Sequence, residues 1–159
     1  MSGPDVVALV DQADAAGRDG ARIIGALAAE FGGTLRQAQP GGAAAVIVAK
    51  LLDRAASGQL AGCLHLSPTL APVWWLASRP GWLRCLTCAQ RAAPISDQHA
   101  GRTCDLCGAA GEVVYPHAVR LRPIVLDPPG LLRVTGIGPV ICLSQLCATC
   151  RPVHPPDPT

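Results

Sequence analysis

Three pairs of cysteines, each separated by two residues, constrain this chain more than any other feature of its sequence. The pairs are Cys85-Leu86-Thr87-Cys88, Cys104-Asp105-Leu106-Cys107 and Cys147-Ala148-Thr149-Cys150. A two-residue gap lets a tight turn aim both thiolates at one metal ion, and backbone N–H groups of that turn can donate to the sulfurs. Fifteen residues separate the first pair from the second, which is a spacing typical of zinc sites. The sequence therefore predicts bound zinc.

Other roles for cysteine pairs fit the sequence less well. A thioredoxin-like redox centre uses a single pair at a strand-to-helix junction, whereas three pairs here lie in a region predicted to hold loops and strands. An iron–sulfur cluster also takes four cysteines, but the tight cysteine runs of ferredoxins are missing from the sequence. Zinc remains the favoured metal.

The three pairs supply six ligands, and structural zinc sites take four each. Two sources of the remaining two ligands stay open. Cys63 and His65 can supply both, or Cys63 can combine with Cys142 to make both sites all-cysteine. We favour the first source, which leaves Cys142 as a buried thiol on a strand, and we expect two zinc ions, with a single ion as the alternative. The eight predicted ligands are Cys63, His65, Cys85, Cys88, Cys104, Cys107, Cys147 and Cys150.

The division of these ligands between two ions is a separate question. Sequential pairing joins the first four ligands at one ion and the last four at the other. We favour it because a hairpin predicted between His65 and Cys85 would bring its two ends together. A ribbon arrangement, which joins the pairs beginning at Cys85 and Cys104, and a cross-braced arrangement stay open.

The character of the chain changes near residue 60. Residues 1–60 are predicted to be a helical segment of three helices, from Asp5 to Gly17, from Asp19 to Phe31, and from about Ala43 to Ser57. Residues 61–150 are predicted to form a zinc-binding module, and the Pro-rich residues 151–159 a disordered tail. Strands are predicted at 73–77, 112–115, 119–126, 131–134 and 140–143.

Composition explains why such a fold would need a metal. Half of the 159 residues are hydrophobic but only 3% are aromatic, so the core is built from small side chains and a metal would reinforce it. We predict an α+β fold, with a small N-terminal helical part followed by a zinc-stapled module of short antiparallel strands.

Charge offers a weak indication of a partner. The formal net charge is only +2, too small by itself to predict a polyanion. Arg84, Arg91 and Arg102 lie close to cysteine pairs, where they can offset thiolate charge or contact phosphates. Trp74 and Trp75 lie next to each other on a predicted strand, so one is expected to face solvent and to offer a contact for a partner.

The cysteine pairs resemble those of the zinc-ribbon and zinc-knuckle class over roughly residues 63–150. This class recurs in transcription, translation and replication proteins and in structural adaptors. The resemblance implies a non-enzymatic interaction module that engages nucleic acid or a nucleic-acid-associated protein machine, or alternatively an adaptor subunit with zinc as a folding staple.

Patterns typical of enzymes and of membrane or secreted proteins are missing from the sequence. Four protein ligands are expected at each zinc ion, which leaves no open position for water. The motifs of deaminases, P-loop proteins and serine hydrolases are not found in the sequence. We therefore predict neither an enzyme nor a small-molecule substrate. The sequence begins without a secretion signal, and its apolar runs are shorter than the ~20 residues of a membrane span. A cytoplasmic protein that does not enter the membrane is expected.

Overall fold

The computed structural model describes residues 6–30, 32–33, 35, 41–66, 70–92, 103–111, 113–122, 124–126 and 135–151. Its helices are α1 (Val6–Glu30), α2 (Ala43–Ala56) and α3 (Leu86–Ala92). Its strands are β1 (Ala61–Gly62), β2 (Val73–Leu76), β3 (Trp82–Arg84), β4 (Val114–Leu121), β5 (Ile124–Leu126), β6 (Thr135–Ile137) and β7 (Val140–Cys147). The fold is α+β with a helical N-terminal part, as the sequence predicts. No helix in these ranges is long and apolar enough to cross a membrane.

The N-terminal part contains one long helix where two were predicted. The predicted break at Gly17 is wrong, because α1 continues to Glu30. Gly20 explains why a glycine is useful inside this helix. A Cβ at that position would lie 3.3 Å from the ring of Pro139, so the missing side chain lets α1 approach the turn before β7. The third predicted helix is confirmed as α2.

The main sheet has five strands in the order β1-β3-β2-β7-β4, and β5 and β6 form a separate antiparallel pair. The prediction of short antiparallel strands holds for three of the strand pairs, but the main sheet is mixed. The β2–β3 and β4–β7 pairs are antiparallel, but β2–β7 and β1–β3 are parallel. Parallel neighbours need a crossover connection, and here everything between β2 and β7 serves as one. The strand predicted at 131–134, residue 112 of another, and the tail at 152–159 lie outside the described residues.

Helices cover both faces of the central strands β2 and β7. On one face Trp75 packs in a cluster with Ile47 and Leu51 of α2. On the other face Trp74 and Ile141 pack with Ala89 of α3 and with partly buried side chains of α1, namely Ile23, Ile24 and Leu27. The sheet is thus the middle layer of three.

This layering corrects the expectation that Trp74 or Trp75 faces solvent. Trp74 is 3% exposed and Trp75 is 0% exposed, because each points into a helix-covered face. Neither can serve as a surface contact for a partner in this fold. Trp82, at the start of β3, is 46% exposed and is the tryptophan that reaches the surface.

Candidate metal centre

The first cluster, site 1, consists of Cys63, His65, Cys85 and Cys88, whose ligand atoms all lie within 4.8 Å of one another. Cys63 directly follows β1 and Cys85 directly follows β3. These two strands are parallel neighbours, and the Cys63 N–H continues their ladder by donating to the Leu83 carbonyl at 2.9 Å. The two chains therefore leave the sheet side by side. The first turn of α3 then adds Cys88, three residues after Cys85.

The second cluster, site 2, consists of Cys104, Cys107, Cys147 and Cys150, again with all ligand atoms within 4.8 Å of one another. Cys104 and Cys107 lie on a tight turn closed by hydrogen bonds from the Cys104 N–H to the Ala109 carbonyl (2.8 Å) and from the Gly108 N–H to the Cys104 carbonyl (2.9 Å). Gly108 has a φ of 78°, which glycine adopts without the steric cost that a Cβ brings.

The other half of site 2 begins where the central strand ends. Cys147 is the last residue of β7. The turn that follows is closed by the N–H groups of Cys150 and Arg151, which both donate to the Cys147 carbonyl at 3.1 and 2.9 Å. The metal ligands are thereby anchored directly to the most buried strand of the sheet.

Asp105 fixes the turn of site 2 against β7. Its N–H donates to the Gln145 carbonyl at 2.8 Å, and its Oδ2 accepts from the Gln145 N–H at 2.7 Å. Burial raises the pKa of the Asp105 carboxyl, and the Gln145 N–H and the charge of Lys50 lower it, with a net result above the ordinary value. Pro116 of β4 lies opposite Gln145. A proline is tolerated there because both backbone groups of Gln145 are used by Asp105.

One distance in each cluster is compatible with ligands around a tetrahedral metal ion. A tetrahedral ion with Zn–S bonds of ~2.3 Å has sulfurs about 3.8 Å apart, and the Cys107 and Cys147 sulfurs are separated by 3.8 Å. A nitrogen ligand at ~2.0–2.1 Å shortens the corresponding edge to about 3.5 Å, and His65 Nδ1 lies 3.3 Å from the Cys88 sulfur. Sulfur and imidazole ligands at this separation could hold a metal ion of the zinc type.

Backbone N–H groups stabilise one thiolate in each cluster. The Cys85 N–H donates to the Cys63 sulfur at 3.3 Å, and the Cys147 N–H donates to the Cys104 sulfur at 3.4 Å. Burial raises the pKa of Cys104, but backbone N–H groups, including that of Cys147, outweigh it and bring the pKa down to about 6. Burial likewise opposes the backbone N–H groups at Cys63, whose pKa is also lowered. These two sulfurs are prepared to be anionic ligands.

A second thiol in each cluster resists ionisation, because it hydrogen-bonds to a neighbouring thiol and is shielded from solvent. The hydrogen bond with the Cys85 thiol, followed by burial, raises the pKa of Cys88 to about 11. The hydrogen bond with the Cys107 thiol, again followed by burial, raises the pKa of Cys150 to about 12. Without a cation, a thiolate in the cluster disfavours the ionisation of its neighbours. A divalent cation removes that penalty and displaces the protons.

The structure brings the eight predicted ligands together in the two sets that sequential pairing predicts, and the ribbon arrangement is not formed. Cys142 belongs to neither set. It is completely buried on β7, and burial raises its pKa to about 12, which suits an unreactive core thiol.

The three arginines predicted as contacts differ in their surroundings. Arg91 is exposed on α3, and Arg84 is half-buried, with an Nε that finds no hydrogen-bond partner. Arg102 lies outside the described residues. The sequence reasoning missed Asp105. An aspartate between two ligands was a visible signal, but its acceptor and donor lie 40 residues away on β7.

The chain matches no protein-family model, no curated protein and no solved structure in the comparisons made with each. Its α+β fold and its two cysteine-rich clusters support membership of a generic zinc-binding class.

Proposed function

We propose that this chain is a non-enzymatic interaction module that two zinc ions hold in its folded state. The observation that supports it most is the gathering of two complete sets of four donor atoms, each within 4.8 Å. Three thiolates with one imidazole, and four thiolates, are donor sets of structural zinc sites. With four protein ligands, each ion has no position left for a water or a substrate.

The placement of the sites supports a folding role for the metal. Site 1 ties the ends of β1 and β3 to α3, and site 2 ties the turn carrying Cys104 to the end of β7. The strand β1 has only two residues, both exposed, so apolar packing does little to hold it. Structural zinc supplies roughly 10–16 kcal/mol of apparent binding energy in small zinc-finger peptides, which is enough to order such segments.

Metal analysis of the purified chain tests this part of the proposal. We expect about two zinc ions per chain by native mass spectrometry, and about one after Cys63→Ser or Cys104→Ser. Cys142→Ala is the matched control, because it removes a cysteine that lies in neither cluster and should keep two. Less than about one zinc per chain would contradict the proposal, and stoichiometric iron would contradict the choice of metal.

For the partner, we propose nucleic acid. All eight basic residues from position 61 onward are arginines, against five acids, and Arg91 and Arg151 are exposed close to site 1 and site 2 respectively. Arginine is well suited to bind phosphate groups. Binding to a generic single-stranded DNA or RNA should weaken steeply with salt, and Arg91→Gln should reduce the salt slope by about 0.7.

A protein partner is the second candidate, which the surface of site 1 favours. Leu64, between two ligands, is 100% exposed, and Leu86, directly after Cys85, is 44% exposed. Exposed apolar side chains on a rigid metal site can anchor a protein. Binding of a protein partner that is insensitive to salt and lost with Leu64→Ser would favour this candidate and would contradict nucleic acid as the partner.

A further inference from the structure

A pocket of about 270 Å³ lies between α2 and the end of β2. Its lining combines three charged side chains from successive turns of α2 with an apolar floor. The charged residues are Lys50, Asp53 and Arg54, and the floor is formed by Trp75, Ala77 and Pro80. The indole N–H of Trp75 donates to the Pro80 carbonyl at 2.9 Å, which fixes the floor. The volume is just below the ~300 Å³ where pockets for drug-sized ligands begin, so it suits one small group.

The two cations of the pocket are held in place by hydrogen bonds to uncharged acceptors. Lys50 Nζ donates to the Asp105 carbonyl and an Arg54 terminal nitrogen donates to the Gln59 side-chain carbonyl, both at 2.6 Å. Both acceptors are uncharged. Within the described part of the chain, neither cation has a carboxylate within the 4.0 Å of an ion pair. Arg54 uses one of its five N–H donors in this bond, which leaves further donors for a ligand.

The position of Lys50 is linked to site 2. Its acceptor, the Asp105 carbonyl, belongs to the turn between Cys104 and Cys107, which Gln145 holds on β7. Metal at site 2 would therefore fix the acceptor that positions Lys50. A cation prepared in this way loses less side-chain entropy when a ligand binds.

The geometry points to a binding site for a phosphate group of a nucleotide in this pocket, with its oxygens on Lys50 and Arg54 and its sugar against the partly exposed Ala77 and Pro80. Lys50 and Arg54 are four residues apart on one helix face, so a phosphate with several free oxygens can accept from both. The three charged side chains of the lining sum to +1, and the Asp105 carboxylate close to Lys50 reduces this excess. The inference rests on the proposed function in one respect, namely that a nucleic acid is one source of the phosphate.

Titration of the zinc-loaded protein, followed by amide chemical shifts, tests this site. The probes are inorganic phosphate, a nucleoside 5′-monophosphate, a short oligothymidylate and, for comparison, acetate. The phosphate probes should bind saturably and more tightly than acetate. Lys50→Gln and Arg54→Gln should each weaken binding by about tenfold or more, as expected for a lost hydrogen bond from a charged donor. Arg18→Gln, which changes an exposed arginine on α1, should have no effect.

Asp53→Asn is the control for weaker phosphate binding that is caused only by misfolding. It removes the negative charge from the lining, so it should strengthen phosphate binding, a change that damage to the fold cannot imitate. Zinc content of about two per chain in every variant confirms that the proteins compared are folded alike.

The outcomes separate this inference from the proposed function. No saturable phosphate binding by a protein with two zinc ions overturns the site and leaves the zinc module standing. Binding of both the monophosphate and oligothymidylate that Lys50→Gln and Arg54→Gln leave unchanged overturns the site as well, because the phosphate probes then bind elsewhere. Binding of the monophosphate and of oligothymidylate, each weakened by both variants, supports the site with a polynucleotide as source. If both variants weaken binding of the monophosphate but not of oligothymidylate, the result supports the site with a free nucleotide as source.

Discussion

Gly138 lies at the closest backbone approach among the described glycines. A Cβ at this position would overlap the carbonyl oxygen of Ala71. The next residue, Pro139, accepts a hydrogen bond from the Val73 N–H at 2.9 Å, and this bond starts the parallel pairing of β2 with β7. A single hydrogen atom as side chain is therefore a condition for the central pair of strands.

Gly138→Ala should lower the free energy of unfolding by about 1–3 kcal/mol, the usual cost of overpacking a buried position. Urea denaturation of the zinc-loaded protein measures it. Gly25→Ala in α1 is the control of opposite sign. Its Cβ would make only an ordinary contact, 3.9 Å from Leu35 Cδ1, and alanine favours the helix by about 0.5–1 kcal/mol. Equal effects of the two changes would refute the close approach.

His65→Ala should weaken zinc binding at site 1 alone. It removes the one nitrogen ligand of that site. Removing a residue that only supports a ligand lowers metal affinity roughly 10–100-fold, so the fall in zinc affinity should be larger here. Competition with a chromophoric chelator measures the affinity of each site. His65→Cys restores four donors and should recover most of the affinity. If His65→Ala bound zinc as tightly as the unchanged chain, His65 would not be a ligand.

The ligands could be predicted from sequence because each cysteine pair is local. Two residues between cysteines place both thiols on one turn wherever that turn lies in the fold. The contacts that carry the turns could not be predicted in the same way. Nothing near Asp105 in the sequence indicates Gln145, because the open edge of β7 exists only after the sheet has formed.

At the scale of elements, helix periodicity predicted α2 but not the continuity of α1. Glycine at positions 17 and 20 suggests a helix end when only propensity is considered. The close contact of Gly20 with Pro139 shows that tertiary packing outweighs this cost. Local sequence cannot report such a contact, since Pro139 belongs to the opposite end of the chain.

The strands show the same division between what is local and what is not. Strand β7, whose residues are mostly buried on both faces, reads as a nearly continuous apolar run, which is typical of a strand covered on two sides. This signal was available in the sequence and predicts that β7 itself is covered on two sides. The parallel pairing of β2 with β7 was not available, because periodicity identifies a strand but not its neighbour.

The docking of α2 on the sheet can be tested with two adjacent residues. Ile47 is completely buried against the Trp75 face, whereas Val46 is 42% exposed. Ile47→Ala should lower the free energy of unfolding by about 2–5 kcal/mol, through lost burial and the cavity left behind. Val46→Ala should change it by about 0.5 kcal/mol or less. Similar values for both would mean that α2 does not pack as described.

For the whole molecule, the two metal sites act on one connected core. Site 2 follows β7, β7 pairs with β2, and β2 pairs with β3, which leads directly into site 1. Loss of either metal should therefore loosen the other site through the shared sheet. The number of ligands alone does not predict this coupling, because it depends on the strand order.

Zinc binding should tighten as the pH rises. Cys88 and Cys150, with pKa values near 11 and 12, are protonated at neutral pH and must each lose a proton to bind, whereas Cys104, near 6, is already ionised. The pKa of Cys147 is raised as well, so site 1 releases at least one proton and site 2 at least two. Between pH 6.5 and 8.5 the apparent affinity should therefore rise by at least about tenfold per pH unit at site 1 and about a hundredfold at site 2. Chelator competition at several pH values checks this.

Cys142→Ala is the control for this pH series as well. Its thiol is buried in the core and belongs to neither cluster, so the slope with pH should be unchanged. An affinity that did not vary with pH would mean that the metal does not displace protons from these thiols, and would count against both sites.

The central place of β7 also determines the order in which the chain can assemble on the ribosome. Strand β2 is synthesised long before β7, which is the last of the described strands. Until β7 emerges, Trp74 and Trp75 stand on a strand with one edge still unpaired. Site 1, whose ligands all lie between residues 63 and 88, can close in the meantime. We therefore expect metal supply during synthesis to decide whether the nascent chain waits in an ordered or an aggregation-prone form.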